Sequence, residues 1–255
     1  MLANYHSHTT RCRHASGTER EYIEKAIEVG YKVFGFSDHT PYFFKDNHEP
    51  DCRMYLEETK DYFDTVRSLA EEYKDKIKIL VGLECEYYPG EDFKKTMDFI
   101  MSFKPDYLIL GQHRLHSDTG ISTFSITYDP NVLREYVDEV IEGMKQGFFA
   151  YLAHPDCINF WGDMDIYEKE MTRLSKAAKE LNMPLEINLN GIALNRNYPT
   201  EKFWEIAGKI GNEVIIGSDC HTVKGVEFAH TIDTAMHLIN KHNLNLIEEI
   251  KLLKY

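Results

Sequence analysis

No stretch of this sequence approaches the ~20 consecutive apolar residues that a membrane-spanning helix requires. Its beginning also lacks the basic start and apolar core of a secretion signal, so a cytoplasmic protein is expected. Positive charge is in short supply: 29 Lys and Arg face 42 Asp and Glu, a formal net charge of −13. Such a balance excludes a sequence-independent grip on a nucleic-acid polymer or an anionic membrane, both of which need a cationic surplus. Cysteine is sparse, odd in number at 5, and never arranged as C-x-x-C, which excludes a disulfide framework and a thiolate zinc site. There is no G-x-S-x-G turn, no C-x5-R loop and no glycine-rich nucleotide cradle. Segments rich in Gly, Pro or Ser are missing as well, so one domain spanning 1–255 is expected, with no linker inside it.

What the chain does have is a steady alternation of strand and helix signals. Apolar runs at 2–5, 33–37, 77–83, 107–110, 149–153, 185–189 and 214–217 read as strands. Between them lie helical patterns. The first starts at a capping box, Thr18 with Glu21, and stops at Gly30; others cover 51–73, 93–103, 130–146, 167–181 and 201–210, and a last begins near Val226. The strands are almost continuously apolar, the pattern of parallel strands covered on both faces. Seven β-α units then mean either a barrel or an open, doubly wound sheet. A barrel gathers its strand C-termini at one mouth, whereas an open sheet spreads them along an edge.

Polar residues decide between the two. Seven of the 12 histidines fall at a strand end or in the loop that follows: His6, His8, His14, His39, His113, His154 and His221. Glu84 and Asp219 occupy equivalent places, so six of the seven strands deliver a candidate metal ligand. His6 and His8, at i and i+2 on an extended chain, point the same way and can grip one ion. Convergence of this many ligands favours the barrel. The remaining histidines, His48, His116, His230, His237 and His242, are assigned to the surface or to packing. Imidazole and carboxylate without thiolate suit zinc, with iron or manganese as alternatives, rather than calcium or magnesium.

In order along the chain stand Tyr5-His6-Ser7-His8-Thr9, Phe36-Ser37-Asp38-His39, Gly82-Leu83-Glu84-Cys85-Glu86-Tyr87, Gly111-Gln112-His113, Ala153-His154-Pro155-Asp156 and Gly217-Ser218-Asp219-Cys220-His221. This series resembles the polymerase and histidinol phosphatase (PHP) superfamily, specifically its histidinol-phosphate phosphatase branch, across essentially the whole chain. The resemblance implies a distorted (β/α)7 barrel holding three divalent metal ions. It assigns one ion to His6, His8, Glu84 and Asp219, a second to His14, His39 and His221, and a third to Glu84, His113 and His154, with Glu84 bridging.

Three such ions outweigh two carboxylates, so the pocket should attract a dianionic phosphate despite the acidic surface. A water shared between ions can be deprotonated near neutral pH, its pKa brought from 15.7 toward ~7, and can attack a phosphate monoester directly. His39 and Asp156 are the candidate catalytic groups for the leaving alcohol. Arg114 and Arg196 are candidate phosphate partners, with Arg13 a third, and Asn188 lies with Glu186 and Asn190 on one strand face that can read the organic half of the substrate. The aromatic loop 41–51, with Tyr42, Phe43 and Phe44, is either a lid over the mouth or a surface for a second copy of the chain. Some phosphatases of this branch carry a basic residue shortly after the His-Pro-Asp motif, whereas this chain continues Cys157-Ile158-Asn159-Phe160-Trp161. The expected reaction is therefore hydrolysis of a small phosphorylated metabolite, L-histidinol phosphate first. Another small monoester or a nucleotide is the alternative, and a metal-binding module without catalysis is the second.

Overall fold

The structure, a computed structural model, describes residues 3–44, 48–227 and 231–255. Leu2 at the start of the first expected strand, His230, and part of the aromatic loop lie outside them. In chain order the elements are β1 (Ala3–Asn4), α1 (Glu19–Val29), β2 (Val33–His39), α2 (Thr59–Tyr73), β3 (Lys78–Cys85), α3 (Glu91–Ser102), β4 (Tyr107–Leu110), α4 (Pro130–Lys145), α5 (Met164–Glu180), β5 (Leu185–Asn188), α6 (Leu189–Ala193), α7 (Glu201–Ile210), β6 (Glu213–Gly217), α8 (Ile232–His242) and β7 (Asn245–Leu246). All the strand pairs are parallel: β1 to β4 form one sheet in sequence order, and β5, β6 and β7 form another.

Two short segments join these sheets into a distorted barrel. The fifth expected strand, 149–153, makes only single bridges, Leu152 to Leu110 on one side and to Leu185 on the other. It is cut short because the chain turns at Gly147 and again at His154, both at positive φ. It still does a strand's work, since Ala150 and Ala153 donate to the carbonyls of Leu108 and Leu110 while Glu186 donates to that of Leu152. On the opposite side Asp219 N–H donates to His6 O at 2.9 Å and His8 N–H to Cys220 O at 3.0 Å, closing β6 onto the chain that continues β1.

Strand parity separates interior from exterior. Tyr107 and Ile109 belong to the apolar cluster inside the barrel, and Leu108 and Leu110 to the layer beneath the helices. On β3 the same alternation puts Leu80 inside and Val81, Leu83 and Cys85 outside, so Glu84 faces the axis. Leu185 and Ile187 of β5 face outward, which turns Glu186 and Asn188 inward. The C-terminal segment floors the barrel: Ile247, Ile250 and Leu252 pack on the inner cluster, and Leu253 N–H donates to Asp106 O.

Most helix ends obey local chemistry. The Thr18 capping box and the left-handed Gly30 bound α1, and Asp129 caps α4 ahead of Pro130. Several boundaries differ from the sequence expectation by two or three residues, and three further differences shape the site. Residues 51–58 do not extend α2, because Arg53 in that segment is buried in an ionic network. The last helix begins at Ile232, after a 3-10 turn over Val223–Val226. β5 ends at Asn188 because its side chain caps α6, accepting from Gly191 N–H at 2.9 Å. Neither α6 nor β7 was expected.

Candidate metal centre

Register places the first pair of groups. His39 and Glu84 are direct partners on β2 and β3, and their side chains meet at 3.0 Å. Glu84 is the hub. One carboxylate oxygen lies 2.9 Å from His154 Nε2 and 3.5 Å from His113 Nε2; the other faces His6 Nε2 at 3.5 Å and His8 Nε2 at 3.6 Å. Asp219 repeats the pattern from β6, with Oδ1 at 3.1 Å from His8 Nε2, 3.6 Å from His6 Nε2 and 3.4 Å from His221 Nδ1.

Donor atoms of His6, His8 and Asp219, of His6, Glu84 and His154, and of His14, His39 and His221 each fall within 4.8 Å of one another. All nine expected ligands thus converge on one mouth. His154 and Asp219 hold left-handed backbone at φ 30° and 49°, a strained conformation for non-glycine residues. Glycines leave room for the carboxylates: a Cβ on Gly111 would stand 2.0 Å from Glu84 Oε1, and one on Gly217 would stand 1.8 Å from Glu186 Oε1.

These residues fit divalent cations on an observation independent of their spacing. His6 Nε2, His8 Nε2, Glu84 Oε2 and His221 Nε2 are buried, and although His8 Nε2 and Glu84 Oε2 have titratable neighbours at 3.0 to 3.1 Å, none of the four makes a hydrogen bond in acceptable geometry, a costly arrangement for a site built only from protein. Electrostatics agree. Burial alone would depress the His8 imidazole, but Asp219 and Asp38 beside it push it up to about 9, and Glu186, Asp219 and Glu84 raise His6 well above its usual value against the same burial. Burial lowers His39 to about 4 and His221 well below its normal range, with His8 adding to both. One half of the site therefore draws positive charge, and the other offers neutral imidazole lone pairs.

A supporting layer backs these donors, and the sequence points to two of its members, Asp38 and Glu86, by their place beside His39 and Glu84. Glu186 Oε1 lies 2.7 Å from His6 Nδ1, and its other oxygen accepts from His154 N–H and Asn188 Nδ2. Glu86 Oε1 lies 3.1 Å from His113 Nδ1. Asp38 accepts from Thr9 N–H at 3.1 Å and lies 3.5 Å from His8 Nδ1. Glu186 lies 180 residues from His6, so no local pattern announces that pair.

A cavity of about 760 Å³ opens over the centre, lined by His14, His39, His113, Asp219 and His221. Arg114 and Arg196 lie on its wall, the latter over the Phe124 ring at 5.1 Å. Asn188 lies outside that lining and donates to Asp219 Oδ2 at 3.1 Å, so it holds a candidate ligand in place. Asp156 Oδ2 accepts from the Thr200 hydroxyl at 3.1 Å at the start of α7, its Oδ1 is buried with no hydrogen-bond partner, and burial raises the carboxyl to about 6. Arg13 stacks on Tyr55 and pairs with Glu58, away from the cavity. Of the aromatic loop, Tyr42 is buried with its hydroxyl on Glu86 O, and Phe43 packs edge-on to Phe99 of α3. Tyr42 thus belongs to the core, while Phe43 is half-buried. His48 pairs with Asp118 and His116 with Glu139.

The profile of the PHP domain family matches residues 4–190. Among curated relatives, the "Probable histidinol-phosphatase" of Deinococcus radiodurans is 26% identical over 235 residues, covering 89% of either chain. The "Histidinol-phosphatase" of Bacillus subtilis is 29% identical over 138 residues, 52% of this chain and 50% of that one. A crystal structure of histidinol phosphate phosphatase from Lactococcus lactis, complexed with zinc, L-histidinol and phosphate, superposes with a TM-score of 0.75 at 21% identity and covers 99% of each chain. It has the same fold.

Proposed function

The chain belongs to the PHP domain family, and on that premise we propose that it is a metal-dependent phosphatase of small phosphate monoesters, with L-histidinol phosphate the first candidate substrate. The observation that carries this reading is the set of buried, unpartnered donor atoms on His6, His8, Glu84 and His221 around one cavity. The matched segment stops at residue 190, yet Asp219 and His221 complete the donor set, so we read 1–255 as a single domain.

His6, His8, Glu84 and Asp219 would hold one divalent ion, His14, His39 and His221 a second, and Glu84, His113 and His154 a third. Zinc suits these donors, with iron or manganese as alternatives. Such ions, when bound, acidify a water to serve as nucleophile and neutralise charge on the phosphoryl oxygens. The protein's own groups orient and admit. Glu186 and Glu86 fix the rings of His6 and His113, and Asn188 fixes Asp219. Arg114 and Arg196 line the approach of an anion, while Phe124 and Tyr198, stacked at 6.1 Å, offer an apolar wall to the organic part. A His39 held neutral serves as a ligand, and Asp156 anchors the start of α7 beside His154.

The test is elemental analysis of anaerobically purified protein, followed by assay of histidinol phosphate against nucleoside monophosphates and a diester. Turnover of histidinol phosphate in preference to the others is the expected result, and His113→Ala or Asp219→Ala should lower it by more than ~100-fold. Preference for a nucleotide would move the substrate within the family. Bound metal with no turnover of any ester would make the chain a metal-binding module.

A further inference from the structure

Arg53 is one of the largest fully buried side chains, 1% exposed, and it sits at the cavity wall. A guanidinium there needs carboxylates, and it has two. Nε donates to Asp118 Oδ1 at 3.0 Å, Nη2 reaches both Asp118 and Glu86, and Nη1 donates to Thr40 O at 3.0 Å. The three partners come from different places: Thr40 follows β2, Glu86 follows β3 and Asp118 lies in the loop after β4. Glu86 in turn contacts His113 Nδ1 through its other oxygen, and Asp118 accepts His48 Nε2 at 2.8 Å. The result is a continuous buried chain, His113–Glu86–Arg53–Asp118–His48.

Nearly every donor of Arg53 is thereby engaged within the protein, which leaves it poorly placed to bind substrate phosphate. Glu86 is different. Only one of its oxygens is needed by Arg53, and the other lies at the one nitrogen of His113 that points away from Glu84. A carboxylate can fix that ring only if it is itself fixed, and a bare carboxylate buried at this depth would rotate toward any available proton.

We propose that Arg53 is a positioning residue for the candidate metal ligand His113, acting through Glu86, and that it clamps the loops after β2, β3 and β4 into one wall of the site. The inference rests on the phosphatase reading above. It also explains why residues 51–58 depart from the helix that the sequence pattern favours: the segment carries Arg53 inward beneath the mouth.

The experiment measures ion affinity by chelator competition, and kcat and KM separately, in wild type, Arg53→Met, Arg53→Lys, Glu86→Gln and the double variant Arg53→Met with His113→Ala. Arg53→Met should weaken one bound ion by about 10–100-fold, lower kcat with KM within about twofold, and regain rate in excess ion; Arg53→Lys should fall between it and wild type. In the His113→Ala background, Arg53→Met should change ion affinity no further, because both act through one ligand. If Arg53→Met fails to fold, Glu86→Gln must still weaken ion binding, more mildly because its amide oxygen can accept from His113, and an unchanged affinity there would overturn the proposal. Wild-type affinity and kcat in the variants, with only a lowered melting temperature, would overturn the proposal and leave Arg53 a purely structural residue. So would a loss that is additive with His113→Ala. A wild-type protein that binds no ion would overturn the phosphatase reading itself, before any variant is compared.

Discussion

Glu186 Oε1 stands 2.7 Å from His6 Nδ1, with both side chains wholly buried. With an ion bound, the contact would keep the Nδ1 proton toward Glu186 and leave the Nε2 lone pair to the ion between Glu84 and Asp219. Glu186→Leu should therefore weaken ion binding by about 10–100-fold, with Glu186→Gln milder because its amide oxygen still accepts. Competition against a coloured chelator reads the change directly.

The two crowded glycines give a second test. Alanine at 111 or 217 drives a methyl into Glu84 or Glu186, which are held from several sides and cannot step back. Each substitution should cost about 1–3 kcal/mol in denaturant unfolding and reduce the ions retained on purification. A Gly217→Ala protein that retained a full complement of metal at unchanged stability would contradict the tight contact.

Acidity should act differently on free and loaded protein. His8, held at about 9 when folded against a usual 6.5, adds stability fully present below pH 6.5 and lost as pH climbs through 9. His39 behaves oppositely: depressed to about 4, it supports the fold above 6.5 and withdraws that support as pH falls through 4. The melting temperature of chelator-treated protein should decline from pH 6.5 to 9, while ion-loaded protein holds or gains over the same range because binding expels those protons. Parallel thermal scans across pH decide it.

Removing the ions altogether should lower the melting point. At a free-ion concentration 100 times the dissociation constant, one site contributes about 2.7 kcal/mol, roughly 5–11 °C for a chain of this size. Calorimetry before and after dialysis against chelator, with restoration by zinc, measures it.

Much of this architecture could be read residue by residue. The His6 and His8 spacing, the Thr18 capping box, the Asp129-Pro130 helix start and the apolar strand runs each act within a few positions, so their signals survive in the sequence. Arg53 and Asp118 escape the sequence, and Glu186 reads there as a substrate group, because the charged or imidazole side chains they face lie 33 to 180 residues away, and a lone charged residue looks the same whether it is solvated or buried. Asp156 looked like an acid because it follows His154 closely. A left-handed turn at His154 precedes it, one oxygen goes to Thr200, and the other is buried with no hydrogen-bond partner. The segment 149–153 looked like any other strand, and only the two flanking turns show why its ladder is so short.

The seam between the chain continuing β1 and that following β6 joins residues more than 200 positions apart, Ser218 N–H reaching Asn4 Oδ1 at 2.9 Å. His6 and His8 emerge early from a ribosome, whereas Asp219 and His221 emerge late. Two of the nine candidate donors, one for each of the first two ion sets, come only with β6, and pairing across so long a loop is among the slow events of folding. Full loading of the proposed ions would then be a closing step of maturation rather than its nucleus, and a nascent chain paused before β6 would lack Asp219 and His221, the last two of the nine candidate donors.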